Sequence, residues 1–512
     1  MPRRSLLASG AAAGAVAATG GSLLAAAPAQ AAPATTASLV SADPLLHLLR
    51  RATYGPTPAA EAEIRSLGAT AWLDRQLAPA SIPDAACDAL LTRLPLAALD
   101  IPGIRGAAAA GQLKVRGYDA MQQLGYAAVA RAAWSERQLF EVMVDFWSNH
   151  LNVTCPFGDA WDSRVDYDRA VVRKHALGSF ADLLKASARH PAMLSYLDNK
   201  VSTKTRPNEN YGRELLELHT VGLVHTEADV QNAARLLTGL TVDKATGLYK
   251  YDATRHAIGA VQVLAFAHAN ATAAGGEAAA LALLDYLAMH PATAQMIARK
   301  LCVRFVSDEP PAALVDRLAG VYLAQKSAIA PVLRALFTSA EFAASVGAKV
   351  RTPLEDLAAT IRVLGISPEP TGITGLKGLY WMLETLGHAP LRWSPPNGYP
   401  DVAAAWASPS GYLGRWNGHL NLAAGWHPKT LTRPASLVKH LVPVLPTTYG
   451  GLVDALAKRL LGTAVTDANR VALTAFFGKQ PTSLLKATDS AVGGSLPYLV
   501  ALLLDSPYFS VR

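Results

Sequence analysis

Cysteine is scarce: the 512 residues hold three, Cys87, Cys155 and Cys302. At most one disulfide can form, which excludes a disulfide scaffold and leaves the core to apolar burial. Cys302, in the apolar run "ARKLCVRF", reads as a small buried hydrophobe. Basic stripes are missing as well. The net charge of +8 is spread thinly, so nucleic acid is excluded as a partner. Beyond the N-terminal segment no uninterrupted apolar stretch reaches transmembrane length. With 51% hydrophobic and 17% charged residues, a disordered chain is excluded. The chain has no G-x-S-x-G elbow, no G-x-x-x-x-G-K-[ST] loop, no dinucleotide fingerprint and no His-Glu-x-x-His zinc motif. "SPSGYLG" lacks the strand–turn–helix setting a serine nucleophile needs.

What is present starts with "MPRRSLLASGAAAGAVAATGGSLLAAAPAQAA". Arg3 and Arg4, a modestly apolar Ala/Gly/Leu stretch and the small-residue pattern Ala29-Gln30-Ala31 predict a twin-arginine export signal over residues 1–31. A membrane anchor fits less well, because the Gly-rich run is weakly hydrophobic and has no charge on its far side. The expected location is secreted or extracytoplasmic, with no transmembrane anchor after signal removal. Removal takes two arginines and no acid, so +8 falls to +6.

The rest reads as mainly α, a multi-helix globular bundle. Thr57 is a predicted N-cap, with Pro58 at the first helical position and Gly68 as the stop. Ser135 with Gln138, Ser179 with Asp182 and Thr226 with Asp229 have capping-box spacing, and Gly239 closes the last of these helices. Strand alternation is confined to "GLYKYDATRHAIGAVQVLAF", a candidate for one small hairpin. Residues 101–117 read as a loop or insertion, and 366–378 as a stronger break. A helical main domain over 40–348 is expected, then a helical C-terminal part over 349–512, separate or continuous with it. Five of the nine tryptophans lie between Trp381 and Trp426, so 392–426 is expected to be a long ordered loop rich in Pro, Gly and Trp. Trp393, Trp406 and Trp416 there serve either a core of large aromatics or a stacking platform for a sugar.

The densest chemistry is "NENYGRELLELHT", residues 208–220. On an ideal helix of about 100° per residue, Glu209, Asn210, Arg213, Glu214, Glu217 and Thr220 share an arc of roughly 140°. His219 falls on the apolar side, so one helix cannot aim Glu214, Glu217 and His219 at one ion. A divalent metal therefore needs ligands from several helices, with His150, His219 and His256 as candidates. Glu209, Glu214, Glu217 and Arg213 are the candidate catalytic groups, and Asn208, Asn210, Asp198 and Asn199 candidate ligand-binding groups. The plainer alternative is a solvated face with i,i+4 ion pairs. In "MVDFWSNHLNV", Glu141, Asp145 and Asn149 line one face, and His150 lies on the apolar side. His175 and His268 add imidazoles elsewhere, the latter on a loop.

"HLLRRATYGPTPAAEAEIRSLGATAWLDRQL", "MVDFWSNHLNV", "HPAMLSYLDN", "NENYGRELLELHT", "DVQNAARLLTGL", "HPATAQMIARKLCVRFVSDEPP" and "PPNGYP…WNGHLN" resemble successive blocks of a bacterial exported family, domain of unknown function 1800. The resemblance runs from about Leu45 to the C-terminus. It implies a secreted helical protein, often encoded beside a sulfatase-like protein, and no established activity. Where the family tends to read His-Asp-x-Gly-x-Lys this chain has "RHAIGAVQ", keeping only His256. Its usual aromatic or Gly-Tyr pair is absent from "LVHTEADV", so His225 is no family ligand.

Two functions fit. One is a hydrolase-like enzyme acting on an envelope or extracellular polymer, such as a glycan, through a carboxylate/His site. The other is a non-catalytic binding or assembly protein of the envelope, with a sulfatase-like partner and the 208–220 block as a buried polar lattice. Glu214→Gln should remove activity at an unchanged melting temperature in the first. In the second, Arg213→Ala should lower stability by a few kcal/mol, read from denaturant midpoints.

Overall fold

Cap chemistry sets many of the helix starts. The computed structural model describes residues 39–115 and 117–512; the predicted signal, 1–31, lies outside the described residues. Thr57 accepts the Ala60 N–H to open the helix Pro58–Leu67, which Gly68 ends at φ 79°. Ser179 and Thr226 cap Phe180–Arg189 and Glu227–Leu237 in the same way. Ser135 does not. Its hydroxyl donates to the buried Asp84 at 2.6 Å, and the helix starts at Gln138. The hydroxyl oxygen still accepts the Arg137 N–H at 3.1 Å, one residue short of the helix, so it orders the approach to the helix rather than capping its first turn.

The protein is mainly α, with two short antiparallel pairs among the described residues. Leu240–Val242 pairs with Tyr249–Tyr251, and Val261–Val263 with Phe266–His268. The expected single hairpin is thus two, because the Tyr249 strand takes its partner from upstream. The expected loop 101–117 holds a helix, Ile101–Ala109, capped by Asp100 and opened by Pro102. The Trp-rich stretch is irregular only up to Ser408, which caps the helix Pro409–Ala424. The described residues form one compact unit, and one hydrophobic cluster runs from Leu46 to Phe509 with no break at 349. All three cysteines are buried and free.

At the centre lies the helix Pro353–Val363, in which every residue is buried. Three of its side chains are charged, and each has found a partner. Glu355 meets Arg304 at 2.7 Å and Arg512 at 2.8 Å. Asp356 meets His419 at 2.9 Å. Arg362 donates to the carbonyls of Gly55 and Ala133. Gly55 sits so near Ala359 that a Cβ would lie 2.9 Å from its Cα, so glycine lets this segment touch the central helix.

His419 bridges two carboxylates, Asp356 at 2.9 Å and Asp505 at 2.8 Å. Burial opposes its charge, but the two acids outweigh burial and raise its pKa to about 9. A raised folded-state pKa stabilises fully below the unfolded value and is lost as pH rises through the folded one. Stability from this bridge should therefore fade between about pH 6.5 and about pH 9. Denaturant midpoints should drop across that window in the wild type, and His419→Gln, lower throughout, should drop less.

Candidate functional site

The helix Gln138–His150 carries Asp145, Asn149 and His150 to one wall of a cleft of about 340 Å³. The helix Pro291–Phe305 supplies Met296, Lys300 and Arg304 from across it, and the segment 397–401 closes the rim. Glu141, on the same helix face as Asp145, points away into a two-pronged pair with Arg173 at 2.6 and 2.9 Å.

One contact pins the rim. Gly398, at φ 72°, packs on the Asn149 carbonyl, where a Cβ would lie 2.1 Å from the oxygen. That approach lets the Tyr399 N–H donate to Asn149 Oδ1 at 2.9 Å. Tyr399 then lies 4.4 Å from the His388 ring and 5.0 Å from Trp393. Trp406 stacks on His388 at 4.4 Å and donates its indole N–H to the Pro400 carbonyl. Trp393 donates to Asn397 Oδ1 at 2.8 Å. Two tryptophans of the expected platform thus hold the rim residues, while Trp416 is exposed on the helix Pro409–Ala424 and does not line the cleft.

The cleft holds two carboxylates in unlike settings. Burial lifts Asp145 to about 6; Arg304 opposes this, and Glu355 and Asp401 add to it. Asp401 is ion-paired, 3.6 Å from Arg304 and 3.2 Å from Lys349. Lys349 also holds Asp308 at 2.6 Å, and Asp308 accepts the Ala403 N–H. Two carboxyl groups with environments this different suit separate acid and base roles.

Lys300 and His150 form the other pair, Nζ to Nδ1 at 2.9 Å. His150 Nε2 lies 3.1 Å from the His219 carbonyl, which can only accept, so Nε2 carries the proton and Nδ1 accepts from Lys300. Burial and the Lys300 charge hold His150 neutral, well below the usual imidazole range. Burial draws Lys300 down to about 8.

The 208–220 block is split by a change of helix type. Glu209–Glu214 is α-helical, but Leu215–His219 is a π-turn, so the regular wheel fails after Glu214. Thr220 consequently turns inward and donates to the Leu215 carbonyl. Glu209 and Asn210 are exposed. Arg213 pairs with Glu227 at 2.6 Å on the surface, and Glu217 lies 3.4 Å from His225. Glu214 is half-buried; burial and Glu217 raise its pKa. The buried lattice expected at Arg213 is found instead around Glu355. Asn208 caps the block and donates to the Leu197 carbonyl. Asn199 holds the carbonyls of Leu237 and Leu240, and Asp198 is exposed at φ 60°.

The three candidate metal histidines do not converge. His150 and His219 are neighbours, with ring centroids 6.5 Å apart. His256 spends both nitrogens on the Thr238 carbonyl and Asn270. Among the described residues no group of three or more His, Cys, Asp and Glu is placed to hold a metal ion. No helix of the described residues is long and apolar enough to cross a membrane.

Asp145 and Asn149 were visible in the i,i+4 face of "MVDFWSNH". Lys300, Arg304, Tyr399 and Asp401 were not, because nothing local separates "ARKLCVRF" from an ordinary amphipathic helix. A depressed Lys300 is directly measurable. Acylation of the folded protein should modify it with a half-maximal rate near pH 8, two units or so below an ordinary lysine. Peptide mapping that finds Lys300 no more reactive than surface lysines at pH 8 would refute the depressed value.

No curated protein and no solved structure matches the chain. The model of one protein family does, described as a protein of unknown function, DUF1800, over residues 47–511. That span takes in the helix of Asp145 and His150, the helix of Lys300 and Arg304, and the rim at Asp401, so the chain, cleft included, belongs to the DUF1800 family.

Proposed function

We propose that the cleft is the site of an exported hydrolase that cleaves an envelope or extracellular polymer, such as a glycan. The observation that carries this is the Asp145 carboxyl, lifted by burial to about 6 opposite the ion-paired Asp401. In hydrolysis of a glycosidic bond, Asp145 gives its proton to the departing oxygen as the bond breaks. Asp401 faces the positive charge that develops on the sugar carbon; water bonds to that carbon as the new hydroxyl, and the proton it loses returns Asp145 to its acid form. Tyr399, backed by Trp393, offers an aromatic surface for a sugar ring, and Lys300 a donor for its hydroxyls. A volume near 340 Å³ suits one or two sugar units rather than a long segment.

A second reading, a non-catalytic binding or assembly protein with a sulfatase-like partner, draws on one feature. Leu223 and Val224, just after the 208–220 block, are 85% and 57% exposed. Such side chains suit a protein partner.

The enzyme reading is tested by reducing-end release from a panel of polysaccharides. An acid that must be protonated implies kcat/KM falling as pH rises through about 6. Asp145→Asn should lose about 100-fold or more in rate. Its melting temperature should stay put, since the amide can still accept from Asn149. Full activity in Asp145→Asn, or no release from any polysaccharide, would end this reading.

A further inference from the structure

A second cavity, about 670 Å³, shares no lining residue with the cleft. It lies between the helices Pro44–Ala52, Pro58–Leu67 and Tyr449–Leu461. Its charge is lopsided: Arg50, Arg65, Arg351, Lys458 and Arg459 line it against Asp43 and Glu61. Both acids are already engaged by Arg65, at 2.6 and 2.8 Å. That leaves four cations with no carboxylate in ion-pair range among the described residues.

Two of the four are deeply placed. Arg50 is 4% exposed and donates to the Leu461 carbonyl at 2.6 Å, and its Nη1 has no partner among the described residues. Arg351, also 4% exposed, lies 4.6 Å over the Phe509 ring and donates to the Phe509 carbonyl. Burial draws each guanidinium down to about 10, the mark of a cation taken from water with too little charge compensation. Among the described residues Arg459 makes one weak contact, to His440 at 3.4 Å, and Lys458 stands exposed at the end of its helix. Buried cations persist when paired, and a guanidinium fork fits an oxyanion at two points. Leu46, Val363, Val442 and Phe509 supply apolar wall beside these charges.

We infer that this cavity binds an organic oxyanion, a phosphate, sulfate or carboxylate group carried on an apolar or planar body. Arg50, Arg351 and Arg459 hold the anionic head, Lys458 attracts it from the mouth, and the apolar wall takes the body. The site is independent of the cleft and of its proposed chemistry.

Calorimetric titration of the purified chain with phenyl phosphate, phenyl sulfate and benzoate tests this, with phenol as the neutral counterpart. At least one anion should bind saturably and phenol should not; which anion binds best separates tetrahedral from planar heads. Arg459→Gln should weaken binding about tenfold, the loss of one charge-assisted contact, and Lys458→Gln about threefold, the loss of one attracting charge at the mouth. Glu61→Gln should strengthen it, because it removes a competing carboxylate. If Arg459→Gln does not fold, the exposed Lys458 variant decides. Absence of binding by all three anions, equal binding of phenol, or affinity unchanged in Lys458→Gln would overturn the assignment.

Discussion

Three ionised side chains ride into the core on one fully buried helix, Pro353–Val363, and the fold is arranged to neutralise them. An unpaired buried charge costs several kcal/mol, so each must meet a partner brought from elsewhere in the chain. The partners come from far apart: Arg304, Arg512 and His419 for the acids, and the carbonyls of Gly55 and Ala133 for Arg362. Burial pushes Glu355 upward, but the arginines outweigh it and hold its carboxyl well below the usual range, so it stays ionised. The N-terminal segment, the middle helices and the C-terminal residue are thereby tied to one axis, which matches a hydrophobic cluster without a seam at 349.

The same lattice shapes the cleft. Arg304 reaches Glu355 with one face of its helix and Asp401 at the rim, so the ion pair that neutralises the core also fixes a cleft carboxylate. Lys349 adds Asp308 and Asp401 to the chain of charges. Asp145 sits within that field with no ion pair among the described residues, and burial and its acidic neighbours raise it against the pull of Arg304.

Departures from regular helix occur where polar chemistry enters the core. Leu215–His219 is π-helical and delivers the His219 carbonyl to His150; Asp168–Arg173 is π-helical and delivers Arg173 to Glu141. The wider turn re-aims the side chains that follow Glu214, which is why Thr220 lies in the interior although a regular helix would set it beside Glu209 and Arg213. A regular wheel separates His219 from the carboxylates, as the structure does, but groups Thr220 with the acids, whereas Thr220 is buried.

Local chemistry fixed what was local. Thr57, Ser179 and Thr226 are helix caps because a short hydroxyl side chain can reach N–H groups two or three residues on, whatever the fold. Helix dominance, the scarcity of strands and the burial of Cys302 follow from composition and period alone. The amphipathic face of Asp145 and Asn149 was equally legible. What no local pattern contains is which charges face one another. "TPLEDLAATIRV" shows a capping box, yet nothing in it says that all its sides are buried. Arg304 with Glu355, Lys300 with His150 and Gly398 on Asn149 join residues 51, 150 and 249 positions apart in the chain. Burial and pairing of charge are properties of the assembled interior, so only tertiary structure could decide them.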